Sequence, residues 1–225
     1  MGPVRSPNFG ERRDGVAPDL VVLHYTAMPS CAAALERLCD PLAEVSAHYL
    51  ICEAGDVLAL VPERVRAWHA GAGSWGAVTD VNSHSIGIEL ANDGLQPFAA
   101  PQMTALEFLL GGILARWSIP PHRVIGHSDL APARKGDPGA RFDWRRLAQA
   151  GLSVWPEALQ DRPDPGGFVT AARTFGYPDV PFDILLRAVR LRFRPWGVGP
   201  LDAVDMGIML DLARRFPVDA GGVRP

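Results

Sequence analysis

The chain alternates short apolar runs with longer segments whose apolar positions recur at helical spacing. Leu20–Leu23 is a continuous apolar run, which is typical of a strand buried on both faces. Further strands are predicted where apolar runs lie between turn formers, at 48–51, 57–61, 85–91 and 123–125. Helices are predicted from apolar spacing and capping residues, at 31–39, 101–117 and 143–151. We therefore expect an α/β or α+β fold in which helices flank a mixed central β-sheet.

The region after residue 155 has a different pattern. Pro156–Gly167 is rich in turn formers and predicts a linker. Three helical patterns follow it, at 168–175, 182–193 and 202–216. We expect a main domain at 1–155, a linker at 156–167 and a small three-helix module at 168–225. So small a bundle gains much of its stability from neighbours, so its removal should lower stability and leave the main domain's chemistry intact.

Composition excludes some classes of protein. The 225 residues are 48% hydrophobic and 21% charged, as in ordinary globular proteins. A net charge of −3 argues against a general nucleic-acid binder, and no apolar run approaches the roughly 20 residues that span a bilayer. Residues 1–15 show no secretory signal, so we expect a cytoplasmic monomer, or a periplasmic or cell-envelope protein if a signal has been removed.

The chain has three cysteines, Cys31, Cys39 and Cys52. An odd number without a Cys-x-x-Cys motif indicates neither a disulfide framework nor a thiolate zinc site. We expect three small buried side chains in a reducing compartment.

Two histidines follow predicted strands directly. His24 ends the first strand, and His127 follows the strand at 123–125. Asp137 lies ten residues after His127, with Lys135 on the same side if the chain is extended before Pro138. Two imidazoles and a carboxylate suit a zinc site with an open fourth position. From these residues alone, two unrelated strand-end histidines and a solvated turn around Asp137 remain the alternative.

Glu89 has its own geometric argument. In the strand at 85–91 it shares a face with the small residues Ser85 and Gly87, which leave room above it. A partly desolvated glutamate there would have a raised pKa and could exchange protons, although a solvent-facing glutamate is the alternative. The Gly-rich aromatic loop at 68–76 could wall a sugar or peptide cleft, or Trp75 could simply pack.

These pieces together resemble the zinc-dependent N-acetylmuramoyl-L-alanine amidases of the AmpD and AmiD type, which are related to phage lysozyme-like amidases and peptidoglycan recognition proteins. The resemblance runs from about residue 20 to 140, through the motifs HYT, SAHYLI, AWHAG, GHSD and KGDPG. It implies that His24, His127 and Asp137 bind Zn²⁺, that Glu89 shuttles the proton and that Lys135 stabilises the transition state. The candidate substrate contacts are Tyr25, His69, Trp75, Asn82 and Arg134.

The implied reaction is hydrolysis of the amide between the lactyl group of N-acetylmuramic acid and L-alanine, in peptidoglycan or its muropeptide fragments. The three-helix module at 168–225, called the tail from here on, resembles a degenerate peptidoglycan-binding module. Two alternatives stay open: a non-catalytic peptidoglycan-binding protein, and a zinc peptidase that cuts within the stem peptide. No nucleic-acid or membrane partner is expected.

Overall fold

A five-stranded mixed sheet forms the centre of the computed structural model, which describes residues 5–157 and 160–219. In chain order the seven strands are β1 Phe9–Gly10, β2 Leu20–Tyr25, β3 Tyr49–Ile51, β4 Val57–Ala59, β5 Arg66–Ala67, β6 Ser85–Leu90 and β7 Val124–Gly126. The central sheet has the order β4-β3-β6-β2-β7, and β1 pairs separately with β5. Only the β3–β4 pair in the central sheet is antiparallel, which confirms the predicted hairpin.

Eight α-helices accompany the strands in the described residues. They are α1 Cys31–Cys39, α2 Val81–His84, α3 Ala100–Trp117, α4 His127–Leu130, α5 Trp144–Gln149, α6 Pro165–Phe175, α7 Phe182–Phe193 and α8 Ala203–Arg215. Ser30 and Asp143 cap α1 and α5 as expected, because their side chains accept the backbone N–H groups of Ala33 and Arg146. Among these helices none has the length and apolar character needed to cross a membrane.

Helices cover both faces of the sheet. On β2, Val21 and Leu23 belong to a core that includes α3 residues, while Leu20 and Val22 belong to a core that includes the tail helices. Strand residues alternate between faces, so His24 lies on the same face as Leu20 and Val22. The tail therefore covers the sheet face that carries His24.

The tail helix α6 begins earlier than expected. Its first residue is Pro165, whereas the sequence pattern predicts a start at Phe168. The Asp164 side chain caps the helix by accepting the backbone N–H of Gly166, and proline suits the first helical position because its missing N–H is not needed there. The two glycines are therefore inside the helix and not in the connection.

The expectation that the chain has no disulfide is wrong. Cys31, at the start of α1, is bonded to Cys52, directly after β3, while Cys39 is a free, half-buried thiol. Cysteine spacing gave no signal because the two partners meet only when α1 packs against the β3–β4 hairpin. The disulfide joins a helix that lines the functional cleft to the central sheet.

Replacing both Cys31 and Cys52 by alanine should lower the free energy of unfolding by about 3 kcal/mol, because the cross-link restricts a loop of roughly twenty residues in the unfolded chain. Urea denaturation measures the change. The matched control is Cys39→Ala on the same helix, which removes a thiol without a cross-link. Equal losses in the double variant and the control would contradict a stabilising disulfide.

Candidate active site

An open cleft of about 490 Å³ lies at the carboxyl edge of the parallel strands. His24 is paired directly opposite Glu89 on β6, and Leu23 is opposite Gly126, the residue before His127. The register therefore brings the ends of three strands to one place. The cleft is lined by His24, His69, Glu89, His127, Lys135 and Asp137, among others.

Three side chains form a tight triangle in the floor of the cleft. The Nδ1 atoms of His24 and His127 are 3.0 Å apart, and Asp137 Oδ2 is 2.9 Å from the first and 3.1 Å from the second. Ligands bound tetrahedrally at about 2.0–2.1 Å from zinc are separated by about 3.3 Å, close to these values. His24, His127 and Asp137 could therefore hold one metal ion.

The ring of His127 is oriented by a backbone carbonyl. Its Nε2 lies 2.8 Å from the carbonyl oxygen of Ala70, so Nε2 carries the proton and donates it. Nδ1 of the neutral ring is then left with a lone pair that faces His24 and Asp137. This is the tautomer that a metal ligand needs.

The ring of His24 is oriented by a chain of hydrogen bonds. The Ser85 hydroxyl donates to the carbonyl of Val81 at 2.5 Å, so its oxygen accepts from Nε2–H of His69 at 3.2 Å. His69 Nδ1 is then an acceptor, and His24 Nε2–H donates to it across 3.0 Å. Nδ1 of His24 is thus unprotonated. Both imidazoles present the same nitrogen to the site.

The charge states of His24 and Asp137 agree with metal binding. Burial lowers the pKa of His24 to about 4, although the adjacent carboxylate of Asp137 acts in the opposite direction. Burial raises the pKa of Asp137, but the close contacts with His127 and His24 outweigh it and hold that pKa well below its usual range. At neutral pH, His24 is therefore uncharged and Asp137 is a carboxylate, as metal binding requires.

Glu89 stands beside this triangle with a carboxylate that is not fully paired. Its Oε2 atom is buried and has no hydrogen-bond partner within the described residues. Burial and, to a lesser extent, the charge of Asp137 raise the pKa of Glu89 to about 8, while the charge of Lys135 opposes this rise. A carboxyl group with such a pKa can take up and release a proton near neutral pH.

The room above Ser85 and Gly87 is filled by His69. A side-chain Cβ on Gly87 would lie 2.4 Å from the His69 ring, which requires glycine at this position. We expect from the sequence that Ser85 and Gly87 leave room beside Glu89; in the structure that room holds an imidazole that supports His24. Ser85 itself completes that support, a role that its size alone did not indicate.

Two predicted substrate contacts are corrected. Trp75 is completely buried and packs edge-on against Phe175 and Tyr177 of the tail, so it cannot touch substrate in the cleft. Asn82 is also buried, and its side-chain oxygen accepts the backbone N–H groups of His69 and Ala70. Asn82 therefore holds the loop that orients both imidazoles.

The other three predicted contacts line the cleft: Tyr25, His69 and Arg134. Arg134 also donates to the carbonyls of Ala70 and Ala72. Arg37 on α1 lines the cleft as well, which the sequence pattern did not indicate because α1 reads as an ordinary amphipathic helix. The cations Arg37, Arg134 and Lys135 give this opening a positive charge suited to carboxylate-bearing ligands.

Replacing His69 by leucine should weaken metal binding by roughly 10- to 100-fold, because His24 Nε2–H loses its acceptor. His69→Gln, whose side-chain oxygen can accept, should recover part of the loss. Competition with a chromophoric chelator measures the affinity, and His84→Leu, at a histidine that pairs with Asp19 outside the cleft, is the control. Unchanged affinity in His69→Leu would show that the ring does not orient His24.

The family match and the sequence relatives of this chain all point to the same family of amidases. Residues 14–140 match the family described as N-acetylmuramoyl-L-alanine amidase. AmiD of Escherichia coli is 41% identical in an alignment of 155 residues that covers 62% of this chain and 55% of AmiD. AmpD of Citrobacter freundii, a 1,6-anhydro-N-acetylmuramyl-L-alanine amidase, is 33% identical in an alignment of 161 residues that covers 64% of this chain and 86% of AmpD.

Solved structures extend the likeness into the tail. E. coli AmiD in complex with anhydro-N-acetylmuramic acid-L-Ala-D-γ-Glu-L-Lys superposes with a TM-score of 0.82 at 32% identity, over 92% of this chain and 93% of that one. AmpDh3 of Pseudomonas aeruginosa, in complex with anhydromuramic pentapeptide, superposes with a TM-score of 0.81 at 32% identity, over 96% of this chain and 100% of AmpDh3. An AmpD structure covers only 68% of this chain, at a TM-score of 0.58.

Proposed function

Because the chain belongs to the N-acetylmuramoyl-L-alanine amidase family, we propose that it hydrolyses the amide between the lactyl group of N-acetylmuramic acid and L-alanine. Its substrates would be peptidoglycan or anhydro-muropeptide fragments, released in cell-wall recycling or remodelling. One observation carries the proposal: a three-ligand metal group, Glu89 and Lys135 share a single cleft. The complexes of AmiD and AmpDh3 with anhydromuramyl peptides support the choice of substrate.

The metal in this proposal is Zn²⁺, held by His24, His127 and Asp137. Two neutral imidazole nitrogens and one carboxylate oxygen are a donor set typical of catalytic zinc. When bound, zinc polarises a carbonyl group and lowers the pKa of water, which are the two effects that amide hydrolysis needs at neutral pH.

Glu89 moves the proton in this mechanism. As water adds to the lactyl carbonyl carbon, Glu89 accepts a proton from it; as the C–N bond breaks, Glu89 delivers that proton to the departing nitrogen of L-alanine. The unpaired, buried Oε2 atom supports this role, since no other protein group in the described residues competes for the proton there.

Lys135 stabilises the negative charge that develops on the carbonyl oxygen. It is the single lysine of a chain with 22 basic residues, so every other cation is arginine. An ammonium group is a compact point charge on a flexible stem, which suits an oxyanion better than the planar fork of arginine.

We propose further that the protein works in an oxidising compartment, the periplasm or cell envelope, in place of the cytoplasm expected from the sequence. The Cys31–Cys52 disulfide supports this, because disulfides are rare where thiols are kept reduced. Alkylation of thiols in intact cells before lysis tests it. We expect only Cys39 to be labelled, and labelling of all three cysteines would contradict the proposal.

Digestion of purified muropeptides, with the fragments identified by mass, tests the reaction itself. The expected products are a free stem peptide with L-alanine at its amino terminus and a peptide-free muramyl sugar. Cleavage inside the stem would make the protein a peptidase, and binding without cleavage would make it a recognition protein. Comparing soluble muropeptide with intact sacculus then identifies the preferred form of substrate.

Glu89→Gln should retain the metal and lose roughly 10²- to 10⁴-fold in turnover, because an amide cannot accept the proton. Metal content and the rate of muropeptide cleavage are measured on the same sample. Glu107→Gln is the control, because Glu107 is a glutamate of α3 that pairs with Arg146 of α5. Turnover near the wild-type rate in Glu89→Gln would remove Glu89 from the mechanism.

Lys135→Ala should lower kcat more than it raises KM, because the ammonium acts on charge that develops only in the transition state. Lys135→Arg keeps the charge and should recover part of kcat. Steady-state kinetics on a soluble muropeptide separate the two constants. An effect confined to KM would instead make Lys135 a contact to a carboxylate of the bound substrate.

A further inference from the structure

A buried carboxylate links the tail to the segment that carries His127. Asp129 is completely buried. Arg192 of α7 donates to its Oδ2 at 2.7 Å, and the Tyr177 hydroxyl donates to its Oδ1 at 2.8 Å. Arg192 and Tyr177 lie 63 and 48 residues further along the chain than Asp129, in the tail. Two tail residues therefore hold one carboxylate of the main domain.

Asp129 in turn fixes the backbone around His127. It belongs to the single-turn helix α4, whose first residue is His127. Its Oδ2 also accepts the backbone N–H of Gly126, before His127, at 2.8 Å, and the backbone N–H of Ser128, after His127, donates to the carbonyl of Asp137 at 2.9 Å. The backbone on both sides of His127 is thus tied to Asp129 and to a second residue of the metal group.

Arg192 reaches the same segment by two further contacts. Its Nη2 donates to the carbonyl of Val124, at the start of β7, at 3.0 Å. Its guanidinium also lies 4.2 Å from the centre of the Trp144 ring, which is buried. One side chain therefore joins the strand before His127 to the carboxylate after it, and a buried cation with these partners has little freedom to move.

We propose that Arg192 and Tyr177 are positioning residues of the active site, which act through Asp129 to hold His127 Nδ1 toward His24 and Asp137. The proposal rests on the proposed function only in taking His127 as a metal ligand. It revises the expectation that removal of the tail would leave the zinc site intact. The tail is then part of the metal centre's support, whatever else it binds.

The chain offers a matched control on the same helix. Arg190 is also a buried arginine of α7 in a charge pair, with Asp205 of α8, which is completely buried. That pair lies within the tail: Arg190 also donates to the carbonyls of Gly199 and Pro200, and Asp205 also accepts from Arg194. Loss of Arg190 disturbs the tail without touching Asp129. A comparison of variants at the two arginines therefore distinguishes a general loss of stability from a loss of His127 positioning.

The experiment compares Arg192→Met with Arg190→Met in the full-length protein, at a temperature where both are folded by circular dichroism. Zinc affinity is measured by chelator competition, and exchange of the Gly126 amide is measured by NMR on metal-free protein. We expect Arg192→Met to weaken zinc binding roughly 10- to 100-fold, as for other groups that support metal ligands, and to accelerate Gly126 exchange. Arg190→Met should leave both readouts within about threefold of wild type, and Arg192→Lys should restore part of the loss.

Tyr177→Phe, which removes one hydroxyl, is the alternative variant if Arg192→Met does not fold. We expect it to lower zinc affinity and accelerate Gly126 exchange by less than Arg192→Met, with no change in the packing of Trp75. Equal effects of the Arg190 and Arg192 variants, or no effect of Tyr177→Phe when Arg192→Met is unfolded, would overturn the positioning role. If wild-type protein bound no zinc, the proposed function would fail. The exchange of Gly126 in metal-free protein would still decide whether the tail holds this segment.

Discussion

The register of three parallel strands is the constraint on which the site depends. Because β2 pairs in parallel with both β6 and β7, His24 stands opposite Glu89, and His127 follows at the level of His24. A shift of β2 by one residue would turn His24 toward the face covered by α3 and break the site. Such a shift would also disrupt the packing of fully buried side chains on both faces, Val21 and Leu23 on one side and Leu20 and Val22 on the other. The same packing that stabilises the fold thus places the chemistry.

Around these strand ends, hydrogen bonds determine which ring nitrogen each histidine presents to the site. His127 is held by the carbonyl of Ala70, and His24 by His69, so one loop controls which nitrogen each ring presents. Buried polar groups are costly unless they are paired, and here almost every one is. Among the residues that line the cleft, Glu89 alone keeps a buried side-chain atom without a partner, Oε2, and its pKa is raised. An unpaired group retained at the centre of an otherwise satisfied network is what a proton carrier requires.

Sequence reasoning recovers the parts that depend on local pattern. Apolar runs give the strands, and side-chain caps at Ser30 and Asp143 give helix starts. The positions of His24 and His127 at the ends of two strands suggest a shared edge, but from these residues alone two unrelated histidines remain the alternative. The family resemblance then adds Asp137 and Lys135, which local pattern leaves ambiguous. Trp75, read as a possible cleft wall, is core because the tail covers it, and sequence gives no sign of that cover. The Cys31–Cys52 bond and the Asp129–Arg192 pair join residues 21 and 63 positions apart, and only tertiary packing brings them together.

The most direct test of this account is a crystal structure of the zinc-loaded protein, with anomalous diffraction recorded on both sides of the zinc absorption edge. We expect one strong zinc peak bonded to Nδ1 of His24, Nδ1 of His127 and a carboxylate oxygen of Asp137, with metal–nitrogen distances of about 2.0–2.1 Å. His24 Nε2 should remain hydrogen-bonded to His69 in the same crystal. A peak elsewhere, or coordination through Nε2 of either ring, would contradict the hydrogen-bond network proposed to set both tautomers.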